Sequence, residues 1–212
     1  AGRLPLVLSG NCNSAIGTVS GLRAACPDED VGVLWFDGHG DSNVPETFTG
    51  TFLDAMGLST LTGRCWGALC ATIPGYRAVA DEAVILVGGH GMDEGARSVL
   101  AASRITTIPP ETLRTGDALP AALAALRARG VTRLYVHLDV DVIDAAYAPA
   151  NGFAPEGGLR PREVLDAVAL AGRDLRIAAA CVASYDPAFD RTNRILAAAE
   201  DFLQAVAAHG PG

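Results

Sequence analysis

Val31-Gly32-Val33-Leu34-Trp35-Phe36 runs without a break into Asp37-Gly38-His39-Gly40-Asp41-Ser42-Asn43. A short continuous apolar run closed by glycines and polar residues reads as a strand buried on both faces, ending in a sharp turn that carries ligand-type side chains. The same pattern recurs along the chain. Strands are expected at 4–8, 31–36, 83–87, 105–108, 134–138 and 177–182, and helices with apolar residues three to four apart at 14–25, 94–102, 119–129, 162–171 and 191–208. Alternation of this kind builds a parallel sheet whose crossover helices cover both faces, so a three-layer α/β/α sandwich with a mainly parallel sheet is expected, as a single domain over 1–212.

In open sheets of this class ligands bind beyond the carboxyl ends of the strands. Polar residues follow the expected strands at Ser9-Gly10-Asn11-Cys12-Asn13, Asp37 to Asn43, Gly88-Gly89-His90-Gly91-Met92-Asp93, Asp139-Val140-Asp141 and Ser184-Tyr185-Asp186. They collect on one rim. In Asp37-Gly38-His39-Gly40-Asp41 three side chains with metal-binding atoms alternate with glycines, and in an extended segment alternate residues share a face. Asp139 and Asp141 repeat the spacing, with His137 before them; for that His, inside an apolar strand, a place in the core is the simpler reading. Carboxylates converging at neighbouring strand ends repel one another unless cations neutralise them. A divalent pair is the natural remedy, and oxygen donors with a little imidazole favour hard ions such as manganese.

Composition narrows the field further. The net charge of −8 and the lack of any Lys/Arg cluster argue against nucleic acid as a partner. The chain has no Lys, which excludes Schiff-base chemistry and a phosphate-loop lysine supplied by its own residues. No stretch approaches the ~20 uninterrupted apolar residues of a membrane-spanning helix, and no leader pattern opens the chain; a cytoplasmic location without membrane attachment is expected. Five cysteines without framework spacing are expected to be reduced. Glycines after the first strand follow neither nucleotide-binding pattern, which leaves an ordinary strand-to-helix turn there.

Trp35-Phe36-Asp37-Gly38-His39-Gly40-Asp41-Ser42-Asn43 resembles the second signature of the ureohydrolase (arginase/agmatinase) family, and Asp139-Val140-Asp141-Val142-Ile143-Asp144 its third. Ser9-Gly10-Asn11-Cys12-Asn13 stands where the family has its first, and Tyr147-Ala148-Pro149-Ala150 and Gly157-Gly158-Leu159 match later landmarks. The resemblance spans nearly the whole chain and implies an arginase-like fold, two divalent ions, Mn2+ foremost, and hydrolysis of a guanidino C–N bond by metal-held hydroxide. The ligands it implies are Asp37, His39, Asp41, Asp139 and Asp141, with Cys12 at the place of a sixth that is normally His. It further implies a guanidino amino acid as the small-molecule partner, with Asn43 at its α-carboxylate and Asp93 at its α-amino group, and Asp41 as the group that holds the hydroxide and passes on its proton. A homo-oligomer is compatible with it.

Three departures stand out. A thiol at Cys12 is softer than imidazole and matches manganese poorly. Asp54 occupies the place of the family's proton-shuttling His; it relays protons if burial raises its pKa and is a solvated loop residue otherwise, and His90 is a second shuttle candidate. Ser184 stands where arginases direct an acidic residue at the guanidinium, and a hydroxyl suits a less basic group. Together these changes resemble the N-omega-hydroxy-L-arginine amidinohydrolase branch of the family, which serves antibiotic biosynthesis and releases hydroxyurea and L-ornithine; ordinary arginase activity and a metal-poor regulatory relative are the alternatives. The strand and helix that usually precede the first signature are expected to be missing.

Overall fold

The computed structural model describes residues 3–50 and 52–210. In chain order it contains β1 (Leu6–Ser9), α1 (Ser14–Ala25), β2 (Asp30–Asp37), α2 (Gly57–Leu61), α3 (Gly67–Cys70), β3 (Val84–Gly88), α4 (Glu94–Ala101), β4 (Thr106–Ile108), α5 (Pro110–Leu113), α6 (Ala118–Ala128), β5 (Val131–Asp139), α7 (Pro161–Asp174), β6 (Arg176–Ala183) and α8 (Arg194–Ala208). All strands are parallel, in the order β1-β6-β5-β2-β3-β4. The three-layer sandwich is therefore as the sequence predicts.

The alternation of side chains along β2 explains the layers. Leu34 and Phe36 pack with α6, α7 and α8 through Leu123, Val164 and Phe202. Val33 and Trp35 face the other way, onto Ala15 and Val19 of α1 and Leu58 and Leu61 of α2. Both faces are buried, so the strand reads as one apolar run.

Strand order also fixes where a ligand goes. From β2 the chain proceeds outward to β3 and β4, and from β5 it proceeds the opposite way to β6. The reversal lies between β2 and β5, and a crevice opens above such a switch point. Phe36 pairs with Leu138, which sets the next residues, Asp37 and Asp139, side by side at that crevice.

Helix α8 begins later than its apolar periodicity suggests, at Arg194 instead of 191, because Asp190 holds its first turn. Buried Asp190 accepts from the backbone N–H groups of Arg194, Ile195 and Leu196, each at 2.9 Å, and from the Tyr185 hydroxyl at 3.3 Å. Asp190→Ala strands those donors, and thermal denaturation is expected to show a loss of about 2 kcal/mol, or roughly 4–8 °C for a chain of this size. An unchanged melting temperature would contradict this capping role.

Candidate metal centre

Above the switch point lies a cavity of about 740 Å³ lined by His39, Asp41, Asn43, Asp54, Asp93, Asp139, Asp141, Asn151, Ser184 and Asp186 among others. Cys12 and Asp37 sit beneath it, both fully buried. The structure thus brings the six expected ligand residues together.

They converge by a route other than the one expected. β2 ends at Asp37, and Gly38–Asp41 is bent, not extended; Asp141 lies in a single 3-10 turn, Val140–Val142. The strand-end carboxylates cause both turns. Asp37 Oδ1 accepts from the N–H groups of His39 at 2.5 Å and Gly40 at 2.9 Å, and its Oδ2 accepts from Trp35 Nε1 at 2.9 Å. Asp139 Oδ1 accepts from the Asp141 N–H at 2.9 Å. A carboxylate that bonds the backbone two residues on folds the chain over itself, so shared strand faces do not explain the centre.

Close backbone approach completes it. The Gly38 N–H donates to Asp141 Oδ1 at 3.0 Å, and a Cβ on Gly38 would lie 2.9 Å from that same oxygen. Asp41 adopts φ 44° and Ser184 φ 67°, left-handed conformations uncommon for such residues. Strain of this kind collects at functional sites.

Electrostatics follows from burial. Burial first, then neighbouring carboxylates, push Asp41 and Asp139 well above the usual carboxylate range, and Asp37 is raised by burial and by Asp141. Asp141 is the exception. Burial pushes it up too, but the His39 ring at 3.2 Å outweighs this and holds it below its ordinary value. The same contact raises His39 to about 9. Burial and the surrounding carboxylates push the Cys12 thiol up, consistent with its donating to Asp139 Oδ2 at 2.9 Å.

The donor set fits divalent ions. Ligand atoms of Asp37, His39 and Asp141 lie within 4.8 Å of one another, as do those of Cys12, Asp37 and Asp139. Asp41 Oδ2 is buried without a hydrogen-bonding partner. A buried carboxylate oxygen left unpaired is costly and marks a place for a cation.

Asp54 is buried, 7% exposed, and so is not a solvated loop residue. Its Oδ1 accepts from the Cys12 N–H at 2.7 Å and from the backbone and side-chain nitrogens of Asn13, both at 3.2 Å. Burial raises it to about 6. Asn43 Nδ2 donates to Asp93 Oδ2 at 3.0 Å, while Asp93 Oδ1 caps α4 through the Ala96 N–H at 2.8 Å. Ser184 Oγ lies 3.6 Å from Cys12 Sγ.

His90 is not brought to the cavity. Gly88 at φ 114° and Gly89 at φ 68° turn the chain against β2, where the Gly89 N–H donates to the Asp37 carbonyl at 2.8 Å. His90 is directed instead toward Gly158, on which an added Cβ would lie 2.8 Å from Nε2, and neither ring nitrogen has a partner. His137 is a fully buried core residue, stacked on Trp35 at 3.8 Å and bonded to the Tyr135 hydroxyl at 2.9 Å, and burial lowers it to about 3. All five cysteines are free.

Sequence reasoning missed two features. Asn151 Nδ2 donates to the Ser184 carbonyl at 2.9 Å and approaches Asp141 Oδ2 at 3.4 Å, joining the ordered 149–158 loop to the centre. At the cavity mouth the exposed rings of Phe52 and Phe153 stack with centroids 5.9 Å apart.

A doubly wound α/β sheet bears at its switch point buried carboxylates, an imidazole and a thiol, grouped closely enough that they could hold metal ions. Comparison makes the class specific: the Arginase family model matches residues 1–208, and the chain belongs to that family. Arginase of Staphylococcus aureus (strain MRSA252) is 29% identical over 90% of this chain, which spans 63% of that relative. Arginase of Bacillus caldovelox is 32% identical over 91% of this chain and 64% of its own length. Its solved structure superposes with a TM-score of 0.86 at 30% identity, covering 97% of this chain and 69% of that one. The chain thus spans less than two thirds of the curated relatives' length. Among the described residues no helix is long and apolar enough to cross a membrane.

Proposed function

We propose that the centre hydrolyses the guanidino C–N bond of an arginine-type amino acid, with two divalent ions, Mn2+ foremost, held by Cys12, Asp37, His39, Asp41, Asp139 and Asp141. One observation carries this reading: Asp37, Asp41, Asp139 and Asp141 are each at most 8% exposed and fall in three adjoining groups of ligand atoms, Asp37 with Asp139 and Cys12, Asp37 with Asp141 and His39, and Asp41 with Cys12 and Asp54. So many ionised carboxylates coexist there only around cations. When bound, such a pair supplies a water acidic enough to attack at neutral pH.

The residues of the chain do the rest. Asp41, whose Oδ2 is buried without a hydrogen-bonding partner, takes the proton released from the attacking water and passes it to the leaving nitrogen. Asp54 stands beside Asp41 and Cys12 at the cavity wall. Asp93 is fixed by the α4 cap and receives the substrate's ammonium group, and the Asn43 amide beside it meets the carboxylate.

The similar proteins are arginases, which puts L-arginine first among substrates. Ser184 favours a second reading, N-omega-hydroxy-L-arginine: its hydroxyl offers the cavity a neutral partner for an N-hydroxyl group where a carboxylate would prefer a full guanidinium. Manganese-loaded protein, incubated separately with L-arginine, N-hydroxy-L-arginine and agmatine, is expected to release L-ornithine from the first two, with urea and hydroxyurea as the respective co-products. Failure on both amino acids would overturn the proposal. If the second reading holds, Ser184→Gly, which the φ of 67° accommodates, lowers kcat/KM for the hydroxylated substrate about tenfold, the loss of one hydrogen bond, and leaves L-arginine within about twofold; equal effects would sink it.

A further inference from the structure

We propose that Asp54 is itself a metal ligand, binding the ion on the Cys12 side of the centre through its Oδ2; this deepens the binuclear reading above and rests on it. Ligand atoms of Cys12, Asp41 and Asp54 lie within 4.8 Å of one another, a third cluster that shares Cys12 with the Cys12, Asp37 and Asp139 group. All three residues are buried, at 0%, 8% and 7% exposure.

Two further observations point to an ion. Asp41 Oδ2 has no hydrogen-bonding partner although it is buried, and an unpaired carboxylate oxygen there needs a positive charge. Facing it is Gly57, whose backbone is helical at φ −56° and so places no demand for glycine. What the missing side chain leaves is space: a Cβ would lie 3.3 Å from Asp41 Oδ2 and 3.6 Å from Cys12 Cβ.

Donor chemistry explains why a further carboxylate belongs here. The sulfur of Cys12 is a soft donor and matches a hard ion poorly. Asp54 supplies hard oxygen on the same side. Its Oδ1 is held by three N–H donors of Cys12 and Asn13, which orients the carboxylate of a residue that lines the cavity and leaves Oδ2 outside these bonds. Anchoring one oxygen while the other binds is how supporting hydrogen bonds usually orient a metal ligand.

The test is a Mn2+ titration of chelator-treated protein, read by calorimetry and by electron paramagnetic resonance of the free ion, with no assay of turnover. The unmodified chain is expected to take two ions, and Asp54→Asn to weaken one of them at least tenfold while leaving the other unchanged. Asparagine keeps an oxygen for the Cys12 and Asn13 donors. Should that variant fail to fold, Gly57→Ala, which suits a helix, fills the same space and is expected to weaken the same ion. Two ions retained at unchanged affinity in either folded variant would overturn the assignment. If the unmodified chain takes a single ion that Asp54→Asn loses, the ligand assignment stands and the metal pair falls; if that single ion is indifferent to Asp54, both fall.

Discussion

Asp41→Asn is expected to fold normally and to lose turnover by a factor on the order of 10³. Asparagine tolerates the left-handed backbone that Asp41 adopts at φ 44°. The carbonyl of residue 41, which accepts from the N–H groups of Leu58 at 2.9 Å and Ser59 at 3.2 Å, is untouched, so α2 stays in place. What changes is the unpaired Oδ2, where a charged acceptor becomes an amide. The variant then has no carboxyl to carry the proton from attacking water to leaving nitrogen. Steady-state kinetics with a parallel metal count checks this: a variant that keeps its ions and its full kcat removes Asp41 from the reaction. Asp41→Ala is a poorer probe, because alanine at positive φ adds backbone strain.

The parts of this site that were legible in the sequence are those in which strand ending and ligand type coincide. Asp37 and Asp139 each close an apolar run, so their place at strand ends could be read from the sequence, whereas the pairing that sets them side by side, Phe36 beside Leu138, could not. The five longer helices were likewise visible, because each exceeds two turns and repeats its apolar face. Helices α2, α3 and α5, of four or five residues each, were not, since one turn shows no periodicity.

The path from Asp37 to Asp41 was misjudged for a physical reason: a strand-end carboxylate that captures the next N–H groups makes turns, and spacing by two then no longer means a shared face. His90 shows the same limit. It follows a strand end in sequence, yet Gly88 and Gly89 at positive φ turn the backbone onto Asp37 and Gly38 and carry the ring away from the cavity. Asn151 had no signal at all, because its role depends on a loop folding back to the Ser184 carbonyl from a distant segment. Asp54 was visible as a position but not as a buried group, and burial is what turns a loop carboxylate into part of the centre.

Removing metal should destabilise the protein, and the stabilisation that Mn2+ restores should grow between pH 7 and pH 9. Asp41 and Asp139 have folded pKa values raised well above those of an unfolded chain, and His39 is raised to about 9. For a raised group, stability is fully present below the unfolded pKa and is lost as pH rises through the folded one. His90 and His137 are lowered and act with the opposite sign, but only below about pH 6.5, where an unfolded imidazole takes up its proton. Lowered surface carboxylates such as Glu29 and Glu163 are ionised in both states throughout this window. Metal-free protein is therefore expected to melt lower at pH 9 than at pH 7. Ions displace the protons these groups would otherwise hold, so metal binding strengthens with pH. At one hundred times the dissociation constant the gain is about 2.7 kcal/mol, or roughly 5–10 °C in melting temperature for a chain of this size. Melting curves with and without Mn2+ at the two pH values decide the matter. A shift equal at both, or larger at pH 7, would mean that the ions do not replace protons at the buried carboxylates and His39, and the centre would then lie elsewhere.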